Sequence, residues 1–139
     1  MTRSLIILIV LALAAPFAAA DPHPQPQDPI GDRLWPPDAI MSHQRELAID
    51  AATRDKLVAE IQRFQTAAVK LQWDLDAAGS ELAQLLGAAH VDETAALAAA
   101  DKVMQLEHDL KRAHLQLLIR LKNVMTPAQQ TRLRELMSK

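Results

Sequence analysis

The chain has 139 residues, enough for one domain, and it contains no cysteine, which excludes disulfides, thiolate metal ligands and a cysteine nucleophile. Hydrophobic residues make up 50% of the chain, yet aromatic residues make up only 3%, and good helix formers dominate, so we predict an all-α protein. The formal net charge is −2, but residues 110–139 carry seven basic residues against Glu135 alone, an asymmetry that concerns partners rather than fold.

Residues 1–20 have the pattern of a secretory signal peptide. Arg3 supplies a positive charge, residues 5–14 form an unbroken apolar run, and small residues from Ala18 to Ala20 suit cleavage by a signal peptidase. The apolar run is too short to span a bilayer as a helix, which takes roughly 20 residues. We therefore predict cleavage after Ala20 and a periplasmic location. The alternative is an uncleaved membrane anchor.

A proline-rich stretch separates this segment from the helical part of the chain. Residues 21–33 contain four prolines and no apolar periodicity, so we predict a disordered spacer, followed by one helical domain over residues 34–139. The first helix is short. It opens around Pro36 and Pro37, because proline is compatible with a first helical turn, and we expect it to end near Ile49.

Two long helices follow. We expect the first to start after the N-cap Asp50 and to end at Gly87, and the second to start after Asp92. Apolar residues recur in both at steps of three and four, the spacing of a coiled-coil seam, and the short loop between them predicts an antiparallel hairpin. The seam residues are Leu57, Ile61, Phe64, Ala68, Leu71, Leu75, Ala78, Leu82 and Leu85, then Ala96, Ala99, Val103, Leu106, Leu110, Ala113, Leu117, Leu121 and Val124.

Several apolar side chains lie outside this seam. The short helices can cover some of them and a second copy would cover more, so we predict a homodimer. Trp73 is open to two interpretations: it contacts a partner, or it packs under the short helix that carries Trp35. We favour packing, because large aromatic side chains are usually well buried. The apolar residues outside the seam include Val58, Trp73, Leu86, Leu97, Met104, Leu118 and Ile119.

The last helix opens with a capping box. Thr126 is the predicted N-cap, Pro127 occupies the first helical position, and Gln129 stands three residues after the cap. Arg132 and Arg134 follow, which makes this helix short, basic and amphipathic. We therefore predict four helices in total: the long hairpin with one short helix at each end of the chain.

Residues 110–130, with Met125-Thr126-Pro127-Ala128-Gln129 near their end, resemble the C-terminal part of the Spy/CpxP family. That family also includes periplasmic heavy-metal sensors and resistance proteins of the CnrX and ZraP kind. Its signature is a pair of Leu-Thr-x-x-Gln motifs, each opening a helix. Here Met125 replaces the leucine of the second motif, and only Ile49 and the capping role of Asp50 remain of the first.

The resemblance implies a periplasmic four-helix protein that forms a cradle-like dimer. Spy-like members bind unfolding or misfolded proteins on a basic and apolar surface without ATP, and CpxP-like members also modulate a membrane sensor kinase. We therefore expect an ATP-independent holdase of the envelope stress response. The alternatives are a heavy-metal sensor or resistance protein and a regulator of such a kinase. The client-binding residues that we predict are Arg112, Ile119, Arg120, Lys122, Arg132 and Arg134. Their alternative role is a solvated helix face.

The metal-sensing branch of the family binds transition metals through His, Glu and Met side chains. The candidates here are His43, Glu46 and His114, for Zn, Cu, Ni or Co. The family pattern is incomplete, because Leu47 stands where a second histidine would follow His43, and Leu118 stands where a methionine would follow His114. We expect no required cofactor, no enzymatic activity in the absence of any catalytic motif, and no nucleic-acid partner after export.

Overall fold

The computed structural model describes residues 33–138, which form four α-helices and no β-strand. They are α1 (Pro37–Ser42), α2 (Ala51–Leu86), α3 (Glu93–Val124) and α4 (Pro127–Met137). The long helices α2 and α3 pack against each other, and this confirms the predicted all-α hairpin with two short flanking helices. The predicted signal peptide lies outside the described residues, as does nearly all of the predicted spacer.

The predicted caps set the bounds of the long helices. The Asp50 carboxylate accepts a hydrogen bond from the Thr53 N–H at 2.7 Å, and Asp92 accepts one from the Ala95 N–H at 3.1 Å. The hydrogen bonds from Thr53 lower the pKa of Asp50. With 36 residues, α2 is about 54 Å long at 1.5 Å per residue. None of the described helices is apolar enough over a sufficient length to cross a bilayer.

Helix α1 ends earlier than the sequence predicts. Regular helix stops at Ser42, and residues 43–48 continue as hydrogen-bonded turns. These turns end in a Schellman arrangement: the Ile49 N–H donates to the Gln44 carbonyl and the Ala48 N–H donates to the Arg45 carbonyl, both at 3.0 Å. Ala48 has φ of 49°, in the left-handed region that such a stop requires. The chain thereby reverses into α2 without a glycine.

The hydrophobic core lies at one end of the hairpin. We call this end the base (residues 33–66 and 111–138) and the opposite end the tip (residues 67–110). In the base, α1 and α4 close over large side chains of the long helices. In the tip, the buried residues are the alanines Ala78, Ala96 and Ala99. The buried core residues of the base are Trp35, Ile40, Leu47, Leu57, Leu117, Leu121, Met125 and Leu133.

Candidate functional site

The capping box at the start of α4 is confirmed and also links two parts of the chain. The Thr126 hydroxyl accepts from the Gln129 N–H at 3.2 Å, and the Gln129 side-chain oxygen accepts from the Thr126 N–H at 2.9 Å. The amide nitrogen of the same glutamine donates to the Leu47 carbonyl at 3.1 Å. Gln129 therefore caps α4 and ties it to the turn that precedes α2.

The next residue, Gln130, was not identified from the sequence. Its side-chain nitrogen donates to the carbonyls of Lys122 and Met125, at 3.0 and 3.1 Å, and so satisfies acceptors at the C-terminal end of α3. The sequence signal for this role is that Gln130 directly follows Gln129, the glutamine of the motif. Together the two glutamines fix α4 against both neighbouring chain segments, so the motif performs a structural task.

Most of the predicted client-binding cations contact other residues of the chain. Arg120 donates to Glu60 at 3.2 Å, and Glu60 also accepts from Arg63. Arg132 pairs with Glu135 at 3.2 Å. The Arg120 contact joins α3 to α2, and the Arg132 contact lies within α4. Both arginine side chains remain partly exposed to solvent.

Two more of the predicted cations lie over the ring of the buried Trp35. The Lys122 ammonium is 5.8 Å from the ring centroid and the Arg134 guanidinium carbon is 6.0 Å from it. Arg112 and Ile119 lie elsewhere, one heptad apart on the exposed side of α3. The six predicted residues are thus distributed over separate faces of the base, and their role in client binding stays a prediction.

The two broad faces of the hairpin differ in chemistry. On one face, Glu60 pairs with Arg120 and Glu81 pairs with Lys102, so both contacts connect α2 to α3. Each of these residues directly precedes a seam residue in the sequence. A shallow cleft on the same face is lined by Asp74, Ala77, Lys102, Gln105 and Leu106. We call this the ion-paired face.

Residues that directly follow a seam residue lie on the opposite side, because the two helices of an antiparallel pair turn in opposite senses about their shared seam. There the large apolar side chains are exposed: Val58 at 42%, Leu86 at 56%, Leu97 at 58% and Met104 at 56%. We call this the apolar face. The sequence already contains this contrast between the faces. The ion-paired charges directly precede seam residues, and the exposed apolar side chains directly follow them.

The favoured interpretation of Trp73 is wrong. Its side chain is 73% exposed, and Val69, one turn earlier, is 59% exposed. Helix α1 and Trp35 pack in the base, whereas Trp73 lies about 24 Å along α2 from the core residue Leu57, at 1.5 Å per residue. The short helix therefore does not reach Trp73, and this aromatic side chain faces solvent.

The candidate metal ligands do not form a complete site within one chain. His43 Nδ1 lies 3.9 Å from a Glu46 carboxylate oxygen, and this nitrogen is buried without a hydrogen-bond partner. His114 is on α3, with its ring 5.7 Å from that of Phe64. No group of three or more histidine or acidic side chains among residues 33–138 is arranged to hold an ion. The single pair, His43 and Glu46 in the turns after α1, leaves most coordination positions without a protein ligand.

Comparison with known proteins gives one match. A family model described as heavy-metal resistance matches residues 3–132, which is nearly the whole chain. Neither the search of curated proteins nor that of solved structures returned a match. With the motif geometry and the four-helix hairpin, this match assigns the family. The chain belongs to the heavy-metal resistance family, the Spy/CpxP-like group that includes relatives of the CnrX and ZraP kind.

Proposed function

We propose that this protein works in the periplasm as an ATP-independent holdase that protects unfolding proteins under heavy-metal stress. The observation that carries the proposal is the large number of exposed apolar side chains on a chain with few aromatic residues and no enzyme motif. Apolar surface on this scale marks interaction sites. The exposed apolar residues are Met41, Val58, Val69, Trp73, Leu86, Val91, Leu97, Met104, Leu115, Ile119 and Met137.

The arrangement of these side chains suits weak and adaptable binding. They are spread along both long helices, so an unfolded chain can contact several of them in many orientations. The unbranched side chain of Met104 is flexible and fits partners of varied shape. Charged residues between them attract partners over distance and keep the protein soluble. Release then needs no nucleotide, because each contact is individually weak.

The wild-type chain is expected to suppress the light scattering of a denaturing model protein at near-stoichiometric ratio, in metal-free buffer without ATP. The double variant Val69→Ser with Trp73→Ser removes two of the most exposed apolar side chains and should need several-fold more protein for the same suppression. Gln65→Ser with Gln72→Ser, on the same helix, is the matched control and should behave as wild type. No suppression by wild type at several-fold excess would contradict the holdase proposal.

We also infer that the protein is a homodimer of the cradle-like kind. The support is that exposed apolar side chains remain in the base, at Met41, Leu115, Ile119 and Met137, and a second hairpin would bury part of them. Light scattering coupled to size exclusion should give twice the chain mass at tens of micromolar. A chain mass that stays monomeric over this range would rule the dimer out.

A second candidate function is metal sensing or scavenging, favoured by the family and by the unpaired His43 nitrogen beside Glu46. Titration with Zn²⁺, Cu²⁺, Ni²⁺ or Co²⁺ should then show stoichiometric binding that His43→Ala abolishes. His108→Ala is the control, because His108 is exposed on α3 and its ring nitrogen lies beside Asp109, away from His43. Equal binding by both variants would place the metal elsewhere, and the absence of binding in wild type would remove this candidate.

A further inference from the structure

The apolar face of the tip combines exposed hydrophobic side chains with carboxylates that have no cationic partner. Between residues 67 and 110 the chain has eight acidic residues and only two basic ones, Lys70 and Lys102. Both of these lysines directly precede seam residues, so both lie on the ion-paired face, where they pair with Asp74 and Glu81. Between residues 67 and 110 the apolar face therefore has no Lys or Arg, and the next cation along it is Lys111, which directly follows the seam residue Leu110.

Three carboxylates of α3 adjoin the exposed apolar side chains of this face, and one of them, Glu107, directly follows a seam residue. Asp101 stands four residues after Leu97 and three before Met104, and Glu107 stands three after Met104, so these side chains are neighbours on α3. Glu93 stands four residues before Leu97, where it also faces the N-terminal end of the helix dipole. Among residues 33–138, none of these three carboxylates forms an ion pair.

A partner for this surface must supply apolar groups and positive charge together. We propose that the apolar face of the tip binds cationic amphipathic segments of unfolding proteins, with leucine-like side chains against Leu86, Leu97 and Met104 and with Lys or Arg against Asp101 and Glu107. The stretch from Glu93 to Glu107 measures about 21 Å, which matches a helical segment of about 14 residues. The inference rests on the proposed holdase function and specifies its client class. It places recognition on the acidic tip rather than on the basic residues of the base.

The test is direct binding, followed by fluorescence anisotropy, of a labelled helical peptide of about 18 residues made of Leu and Lys. The full chain should bind this peptide, and should not bind the same peptide with Glu in place of Lys. Asp101→Lys with Glu107→Lys should weaken binding at least about tenfold, because attraction becomes repulsion beside the apolar contact. Leu97→Ser with Met104→Ser should weaken it without any change in net charge.

The matched control is Asp74→Lys with Glu81→Lys, which changes the net charge by the same amount on the ion-paired face. This variant should stay within about threefold of wild type, since loss of surface ion pairs has little effect on folding, which circular dichroism checks. Equal loss in both charge variants, or no binding by wild type, would overturn the proposal. The proposal would also be overturned if wild type is a dimer and Asp101→Lys with Glu107→Lys dissociates it, since a second copy would then cover this face.

A chain that prevents aggregation but does not bind the peptide would keep the holdase function and lose this client class. A chain that binds the peptide without preventing aggregation would keep the peptide site and lose the holdase function.

Discussion

Replacing Leu121 with alanine is expected to lower the free energy of unfolding by about 3 kcal/mol, the middle of the range for a large-to-small change in a packed core. Leu121 is fully buried, at 0% exposure, among side chains of the long helices and α1. The core of the base is small, and a domain of this size has a total stability of only about 5–15 kcal/mol. The melting temperature should therefore fall by roughly 10–20 °C, measured by circular dichroism at 222 nm.

Ile119→Ala is the matched control for this prediction. Ile119 lies two residues earlier on the same helix and is 43% exposed, so its truncation removes less buried surface than that of Leu121 and should cost less than about 1 kcal/mol. Both variants end in alanine, and the helix propensities of leucine and isoleucine differ by only a few tenths of a kcal/mol, so most of the difference between the variants reports burial. Comparable losses in both would mean that Leu121 is not packed as described.

Replacing Gln129 with leucine is expected to lower the free energy of unfolding by about 2–4 kcal/mol. About 1 kcal/mol comes from loss of the capping box. The rest comes from the Leu47 carbonyl, which loses its side-chain donor in a partly buried position. Urea denaturation followed by the fluorescence of Trp35, in a Trp73→Phe background, measures the change where α4 closes the base.

Gln129→Glu separates the two contributions of this side chain. A glutamate still accepts the Thr126 N–H, as in other capping boxes, but its carboxylate has no N–H to donate to the Leu47 carbonyl. The loss of stability in Gln129→Glu relative to wild type therefore reports the Leu47 contact, including repulsion between the new carboxylate oxygen and that carbonyl oxygen. Thr131→Ala, at an exposed position of α4, should be neutral. If Gln129→Leu were as stable as wild type, the link between α4 and the turn before α2 would make no contribution to the free energy of unfolding.

The parts of the fold that depend on near neighbours in sequence were predictable. Seam spacing predicts both long helices, and the caps Asp50, Asp92 and Thr126 fix where three helices begin. Each of these signals operates within three or four residues, through helical periodicity or through one hydrogen bond to the following turn. The same locality explains why the capping box at Gln129 was identified from the sequence alone.

The remaining features depend on distant residues. The Gln129 side chain bonds to Leu47, 82 positions away, and no local pattern selects that carbonyl. Trp73 was assigned to the core on its size, but whether a tryptophan is covered depends on how far α1 extends along the hairpin. The predicted client-binding cations were grouped by their closeness in sequence, whereas Glu60 and Trp35 engage several of them separately. Tertiary contacts decide these points.

The packing of the tip through Ala78, Ala96 and Ala99 has a consequence for motion within the native state. Separating α2 from α3 there exposes small side chains and little apolar area, whereas separating them at Leu121 exposes large ones. Sub-global opening of the tip therefore requires less free energy than opening of the base, and amide protons of residues 67–110 should exchange with solvent first. A segment bound at the tip would slow that exchange locally and leave the amides of the base unchanged.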